Sequence, residues 1–272
     1  MEHRTRGWSG IAVVMALATA AAAGAGEADP FATAHSQARQ LLTQKKAAEA
    51  AKVYGTFAAT HARDPLAPVA LILQGIVLRR DVKDGEAARA AFAQAAERAG
   101  DSPLGRRLKP IARAWLARLQ MEAIDQALRQ YYVKHVWYPE TLDELARGGA
   151  LKPADLMDPW GKPFAYETGK LRWAPKVPRQ KYRLSCSSLE GDSKALERTL
   201  LKQTTSAGDR VQLRGIVPTA PRKAIVATAE DMNKRVTVTE GSTVGSATVA
   251  AITPGGVLLV DGEAVAFLTV QR

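Results

Sequence analysis

The chain has 272 residues, a formal net charge of +11 and one cysteine, Cys186. This length allows two or three domains, and a single cysteine excludes an internal disulfide, so folding must depend on buried apolar surface. The histidines are scattered singly, without the spacing of a metal or catalytic site; they are His3, His35, His61 and His135.

The first segment has the layout of an exported chain. Residues Met1 to Trp8 carry Arg4 and Arg6, an apolar stretch follows from Ile11 to Ala23, and Ala23-Gly24-Ala25 forms a small-x-small site. This pattern predicts a Sec signal peptide over residues 1–25, because the apolar stretch is shorter than the about 20 residues of a spanning helix. We expect a periplasmic protein; an inner-membrane protein with an uncleaved anchor is the alternative.

Residues 30–110 have a helical period and are rich in alanine, leucine and other helix formers. Four residue pairs recur at a spacing of 38, namely Ala50 with Ala88, Tyr54 with Phe92, Phe57 with Ala95, and Pro65 with Pro103. The order resembles a degenerate pair of tetratricopeptide repeats, which implies a surface that binds peptides or protein segments. A helical spacer between other modules is the alternative. We expect a helix from about Leu108 to Tyr132 to cap this region and to share its core with the next.

Residues 111–203 contain an unusual series of turn and aromatic motifs. Tyr138-Pro139 stops a helix, Asp158-Pro159-Trp160-Gly161 predicts a tight turn before a strand pair, and Ser188-Leu189 leads to Asp192. This series resembles the C-terminal domain of the major pseudopilin of type II secretion systems, the G subunit. The resemblance implies a long helix with a small antiparallel sheet. The pilin N-terminal helix pattern is missing, so we do not expect a filament subunit.

The pseudopilin family holds calcium in the loop that follows this series. In this chain Glu190 and Asp192 supply too few oxygens for the six to eight ligands that calcium prefers. We therefore expect no metal and no cofactor, and we expect a helix over residues 195–203 to close the domain instead.

Residues 204–210 have linker composition, and residues 211–272 alternate β-branched and polar residues between glycine turns, which predicts a small all-β sandwich or barrel. The order resembles the periplasmic homology region of the type II secretion C subunit and the pilus-assembly P lipoprotein. The matching residues are Leu213, Gly215, Ile216, Ala224, Ile225, Gly241, Val249, Ile252, Val257, Leu259 and Gly262. The resemblance implies docking to the outer-membrane secretin, and the strands themselves indicate an edge able to accept a partner strand.

One stretch, Lys170 to Arg183, holds six basic residues and no acid. A solvated loop is one interpretation, and a surface for an acidic protein or for phospholipid head groups is the other. The predicted binding residues are Arg172, Lys176, Arg179, Lys181 and Arg183. Nucleic acid is not expected, because no nucleic-acid motif accompanies the charge and the compartment is wrong.

Catalysis is not predicted either. Asp155 and Asp158 lie close in sequence, and serines flank Cys186, but no Gly-x-Ser-x-Gly context or nearby histidine accompanies them. The sequence thus predicts a multi-domain α+β chain with a helical repeat, a pseudopilin-like domain and a small β domain. Its predicted function is a non-catalytic exported scaffold or adaptor of a type II secretion or type IV pilus-like system, in contact with secretin-like or inner-membrane components. A periplasmic protein- or peptide-binding module unrelated to secretion is the alternative, and a hydrolase is a distant third.

Overall fold

The computed structural model describes residues 29–189, 210–228 and 231–270, without the side chains of residues 231–234. The signal peptide, the helix expected over 195–203, the loop acids Glu190 and Asp192, and all of the linker but Arg210 lie outside these residues. The described part contains helices and antiparallel sheets, so the mixed α+β class is confirmed. The helices are α1 (Pro30–Thr43), α2 (Ala47–Thr60), α3 (Ala67–Val77), α4 (Gly85–Arg98), α5 (Pro103–His135) and α6 (Asp143–Arg147).

Helices α1 to α4 form two successive pairs that pack side by side. α2 and α4 are each 14 residues long and begin at Ala47 and Gly85, which is the 38-residue spacing of the sequence repeat. Equivalent side chains of the two helices, Tyr54 and Phe92, are buried in one core. Alanines beside them, such as Ala50 and Ala88, are fully buried and allow close approach of neighbouring helices. The repeated small and aromatic residues therefore produce a repeated packing unit.

The 33-residue helix α5 belongs to two cores. Its first half packs with α1 to α4 through Leu108, Ile111 and Trp115. Its second half, with Met121 and Ile124, packs in a separate cluster against α6, a 3₁₀ turn at Pro153–Leu156 and the strands β1 (Ala165–Gly169) and β2 (Lys181–Ser185). The two regions therefore share a helix, with different residues of that helix in each core.

The C-terminal strands form two antiparallel sheets that pack face to face. Residues Val236 to Val244 form one run of strand-like residues in the sequence. Gly241, with a φ of +87°, turns the chain there, so one strand ends at Val238 and the next begins at Thr243. The three-stranded sheet contains β3 (Val211–Val217), β4 (Lys223–Thr228) and β5 (Asp231–Val238); the four-stranded sheet contains β6 (Thr243–Val244), β7 (Ala247–Ile252), β8 (Gly256–Asp261) and β9 (Ala264–Thr269).

The outer face of the four-stranded sheet packs on the helices. Phe267 of β9 meets the Phe31 ring edge-on, with 4.7 Å between the ring centroids. Arg118 of α5 donates from Nε and Nη2 to the two carboxylate oxygens of Glu263, each at 2.6 Å, and Trp115 Nε1 donates to the Glu263 carbonyl at 3.0 Å. The β sandwich is therefore joined to the helices through a buried interface as well as through the chain.

In the described residues no helix combines the length and the apolar character needed to cross a membrane. The helices are instead amphipathic or, like α3, enclosed by their neighbours.

Candidate functional site

A cleft of about 860 Å³ opens between the helices and the β sandwich. Its floor is apolar and includes Leu66, Ala250 and Ile252, all buried. Helix starts form one wall and the turns after β5 and β7 form the other. Prolines stand on both walls, at Pro30, Pro65, Pro103 and Pro254. Because proline fixes φ, these walls are stiff and already shaped before any ligand arrives.

The acidic groups at the cleft already accept hydrogen bonds from backbone amides. Asp29 Oδ1 accepts from Phe31 N at 2.9 Å, which caps α1, and its Oδ2 accepts from Gly255 N at 3.1 Å. Glu240 Oε1 accepts from Ile252 N at 2.9 Å. Asp29 thus joins α1 to the sheet and Glu240 joins two parts of the β sandwich, so both carboxylates have a structural role at the cleft.

Two cleft arginines have no such role. Arg107 at the start of α5 and Arg222 before β4 line the cleft and are exposed, and neither forms a salt bridge or side-chain hydrogen bond within the described ranges. Guanidinium groups in this state offer donor forks that match a carboxylate. Three carboxylates, Asp29, Asp64 and Glu240, line the same cleft. The cleft can therefore hold an apolar segment and pair a carboxylate of that segment with one of the two arginines.

The helical repeat offers a second, smaller groove of about 270 Å³ between α2, α3 and α4. Small residues such as Gly55, Ala58 and Ala91 line it, and Arg98 donates to the Ala58 carbonyl at 2.8 Å. The side of the repeat formed by α1 and α5 receives this chain's own sheet. A surface of the repeat that would bind a peptide therefore does not include the part covered by the sheet.

The predicted basic residues lie on β2 and on the loop that joins β1 to β2. Arg172, Lys176, Lys181 and Arg183 are exposed, whereas Arg179 is half-buried. The Arg179 guanidinium carbon lies 5.7 Å from the centre of the Trp137 ring, in cation–π geometry. None of these five residues forms a salt bridge with another described residue.

The end of α5 contacts the base of this loop. Gln180 Nε2 donates to the Val136 carbonyl at 3.0 Å, and Tyr138 N donates to the Arg179 carbonyl at 2.9 Å. Val136 and Arg179 both have left-handed backbone, with φ of +65° and +57°. Left-handed backbone is unfavourable for a β-branched residue, so the surrounding contacts impose this geometry.

Asp158 organises the predicted Asp-Pro-Trp-Gly turn, where Gly161 has a φ of +80°. Its Oδ1 accepts from Trp160 N at 2.9 Å and from Lys162 N at 2.8 Å. Burial acts to raise the pKa of Asp158, but these amides and the Cys186 thiol outweigh it, so the pKa lies below its ordinary value. The carboxylate is therefore charged at neutral pH and serves as the acceptor at the centre of the turn.

Cys186 has the surroundings of a core residue. Its side chain is 3% exposed, and its Sγ donates to Asp158 Oδ2 at 3.3 Å. Burial raises the pKa of the thiol, and the nearby carboxylate acts in the same direction. A thiol held in the protonated form is a poor nucleophile. Within the described residues no group of three or more histidine, cysteine, aspartate or glutamate side chains has the arrangement of a metal site.

The structure distributes the site residues differently from the sequence analysis. The basic stretch is one exposed surface, but its aromatic neighbours Trp137 and Trp173 were not among the predicted site residues. The cleft arginines Arg107 and Arg222 were also missed, because they are 115 positions apart and only the folded chain brings them to one cleft. Tryptophan next to basic residues was the sequence signal that could have indicated the aromatic part of the basic surface.

Comparisons with known proteins found no match to this chain among family models, curated proteins or solved structures.

Proposed function

We propose that this protein is a non-catalytic scaffold or adaptor that binds a segment of a partner protein in the cleft between its helices and its β sandwich. The observation that carries the proposal is the stiff, apolar cleft with Arg107 and Arg222 at its border. An apolar floor with a few polar groups at the edge is the usual composition of a recognition site. The ligand would be an apolar segment with a carboxylate that pairs with one of these arginines.

The finer proposal is that the partner belongs to a type II secretion or type IV pilus-like machine. Its support is the order of the sequence motifs, with a pseudopilin-like series followed by strands like those of the secretion C subunit. Export to the periplasm and contact with a secretin or an inner-membrane subunit belong to this proposal. So does the description of the three regions as tetratricopeptide-like, pseudopilin-like and homology-region-like.

The packing of the β sandwich limits how a secretin could dock on it. The four-stranded sheet has one face against the three-stranded sheet and the other against the helices. A partner strand would therefore add to an edge strand. β9 is one such edge, since it pairs only with β8 in the described sheet.

The test is site-specific photo-crosslinking in cells that produce the chain. A photoreactive phenylalanine analogue replaces Pro254, which is exposed on the cleft wall, and a control carries it at Lys52, which is exposed on α2. The proposal predicts an adduct from position 254 that position 52 does not give. The adduct should weaken when Arg107→Glu and Arg222→Glu are introduced together, and persist when Lys45→Glu and Lys52→Glu are introduced at exposed positions outside the cleft lining.

The identity of the adduct separates the two levels of the proposal. A secretin or secretion subunit supports the finer assignment, and any other protein supports the alternative of a binding module unrelated to secretion. If position 254 gives no adduct beyond the control, docking in the cleft is wrong. Deletion of residues 211–272 is a poor substitute for this test, because it would uncover the helical core at Phe31 and Trp115.

A further inference from the structure

The loop between β1 and β2 presents a tryptophan at its tip. Leu171 and Ala174 close a tight turn, with Ala174 N donating to the Leu171 carbonyl at 3.2 Å, so Arg172 and Trp173 are its two tip residues. The Trp173 side chain is 81% exposed. A large apolar side chain this exposed at the tip of a turn cannot be explained by packing within the described chain.

A second turn follows at once and repeats the arrangement. Val177 N donates to the Ala174 carbonyl at 3.1 Å, which places Pro175 and Lys176 at the next tip, and Val177 itself is 45% exposed. The two tips therefore alternate cations with apolar groups. The stretch from Lys170 to Arg183 has six cations and no acid. Glu167 lies opposite Arg183 in the β1–β2 register and Glu144 lies near Arg179, so the positive field is strongest at the tips, where Arg172 and Lys176 stand.

The neighbouring end of α5 adds more exposed apolar surface. Val133 is 81% exposed, Val136 is 64% exposed and Trp137 is 43% exposed. The contacts of Arg179 with Trp137 and of Gln180 with Val136 fix this helix end beside the loop. We name the combined surface the tryptophan–basic face; it consists of residues 133–137 and 170–183.

We propose that the tryptophan–basic face binds the surface of anionic phospholipid membranes. Trp173 would insert at the head-group level, where indole rings are favoured, while Arg172 and Lys176 remain with the phosphates. The side chains of arginine and lysine can lie along apolar surface and still keep their charge in the polar layer. This inference is independent of the cleft and of the partner proposed for it.

The shape of the face favours lipid over an acidic protein. Residues at the tips of two tight turns protrude, and a protruding indole between cations fits a soft, flat, negatively charged layer. A protein partner would need a matching pocket, whereas a bilayer accepts the ring without one. Basic residues close to an anionic leaflet each strengthen binding by about fivefold, so two of them are enough for a measurable effect.

The first experiment measures binding of the full chain to vesicles by flotation. Vesicles of phosphatidylglycerol and phosphatidylcholine are compared with vesicles of phosphatidylcholine alone at low salt. The proposal predicts stronger binding to the anionic vesicles, with the preference weakened by added salt through screening. The N-terminal stretch is identical in every variant, so the change in the ratio of anionic to neutral binding between variants reports on the substituted residues.

Two charge-reversal variants are compared in this assay. Arg172→Glu with Lys176→Glu should reduce the anionic preference by about 25-fold or more, which is the loss of two fivefold contributions. Lys52→Glu with Arg63→Glu changes the net charge equally at exposed positions outside the face, and should leave most of the preference intact. Equal losses in both variants would overturn the proposal, because they would show a response to net charge alone.

The second experiment reports directly on Trp173. Its emission is obtained as the difference between the native chain and Trp173→Phe, with vesicles that contain brominated phosphatidylcholine. The proposal predicts that this difference emission is quenched when the vesicles are anionic. If the chain binds vesicles while the Trp173 emission is not quenched, or if it has no anionic preference, the proposal is wrong. Capture of an acidic protein that depends on Arg172 and Lys176 would then identify a protein surface.

Discussion

The four-stranded C-terminal sheet and the two-stranded β1–β2 sheet are both antiparallel, but they are held in different ways. The larger sheet is covered on both faces, and Val257 and Leu258 at its centre are completely buried. The smaller sheet packs one side on α5 and leaves its connecting loop exposed. The larger sheet closes the core of the protein, whereas the smaller one carries an exposed loop. Variants that affect one sheet should therefore have little effect on the other.

Phe267→Ala tests the larger sheet most severely. The ring is 5% exposed and lies against Phe31 and His35, so its loss should lower the free energy of unfolding by about 3–5 kcal/mol. Denaturant titration measures the change. Val270→Ala, near the end of the same segment and 39% exposed, is the matched control and should have almost no effect. A small loss for Phe267→Ala would mean that the sheet does not depend on this contact.

Acidification should weaken the same interface through His35. Burial lowers its pKa to about 4, the positive charge of Arg39 acts in the same direction, and the hydrogen bond with the Phe267 backbone opposes them. Nδ1 of the His35 ring also lies 3.0 Å from the hydroxyl oxygen of Tyr54, within hydrogen-bond distance. The folded protein therefore favours the neutral imidazole.

The direction of the pH effect follows from the two protonation states. Between about pH 6.5 and pH 4, His35 binds a proton in the unfolded chain but stays neutral in the folded chain. The free energy of unfolding therefore falls as the pH falls. The full contribution is present above this window, and about 3 kcal/mol is lost across it. Denaturant titrations at several pH values measure this slope. His35→Gln should remove this part of the slope and His61→Gln, at an exposed position, should not; an unchanged slope in His35→Gln would contradict the prediction.

Asp158→Asn should have the smallest effect on stability of the three changes, and it tests the smaller sheet. The amide keeps one acceptor but loses the charge that strengthens the bonds from Trp160 N and Lys162 N, a loss of about 1–2 kcal/mol. Hydrogen exchange should show faster opening of β1 and β2, with β7 to β9 unchanged. Asp143→Asn, an exposed acid on α6, should leave both regions as they are. Equal loss of protection in both sheets would contradict the independence of the two regions.

Local patterns in the sequence predict much of this fold. The alternation between glycine turns over residues 211–272 predicts the strands that the structure has there, and the 38-residue spacing predicts the repeated helices α2 and α4. The contact of the β sandwich with the helices could not be read in this way. Arg118 and Glu263 are 145 positions apart, and their types are those of ordinary surface residues. One signal was present: Val257-Leu258-Leu259-Val260 is continuously apolar, which is typical of a strand buried on both faces.

The two candidate binding surfaces also differ in whether local sequence patterns predict them. The basic stretch is visible in the sequence because its residues are neighbours, and its exposure follows from the turns that Pro175 and the adjoining residues favour. The cleft is not visible, since its walls come from helix starts and strand ends far apart in the chain. Long-range packing decides which arginines have partners and which remain available.

The contact between Phe31 and Phe267 joins two residues that are 236 positions apart, near the two ends of the described chain. A ribosome delivers residue 267 long after residue 31. Until it arrives, Phe31 and His35 on α1 are covered only by α2 residues such as Phe57 and Tyr54, and the helical half can form only an incomplete core. The helical half therefore reaches its final structure only after residue 267 has been made, and chaperones that hold apolar surface would have a defined target during that interval.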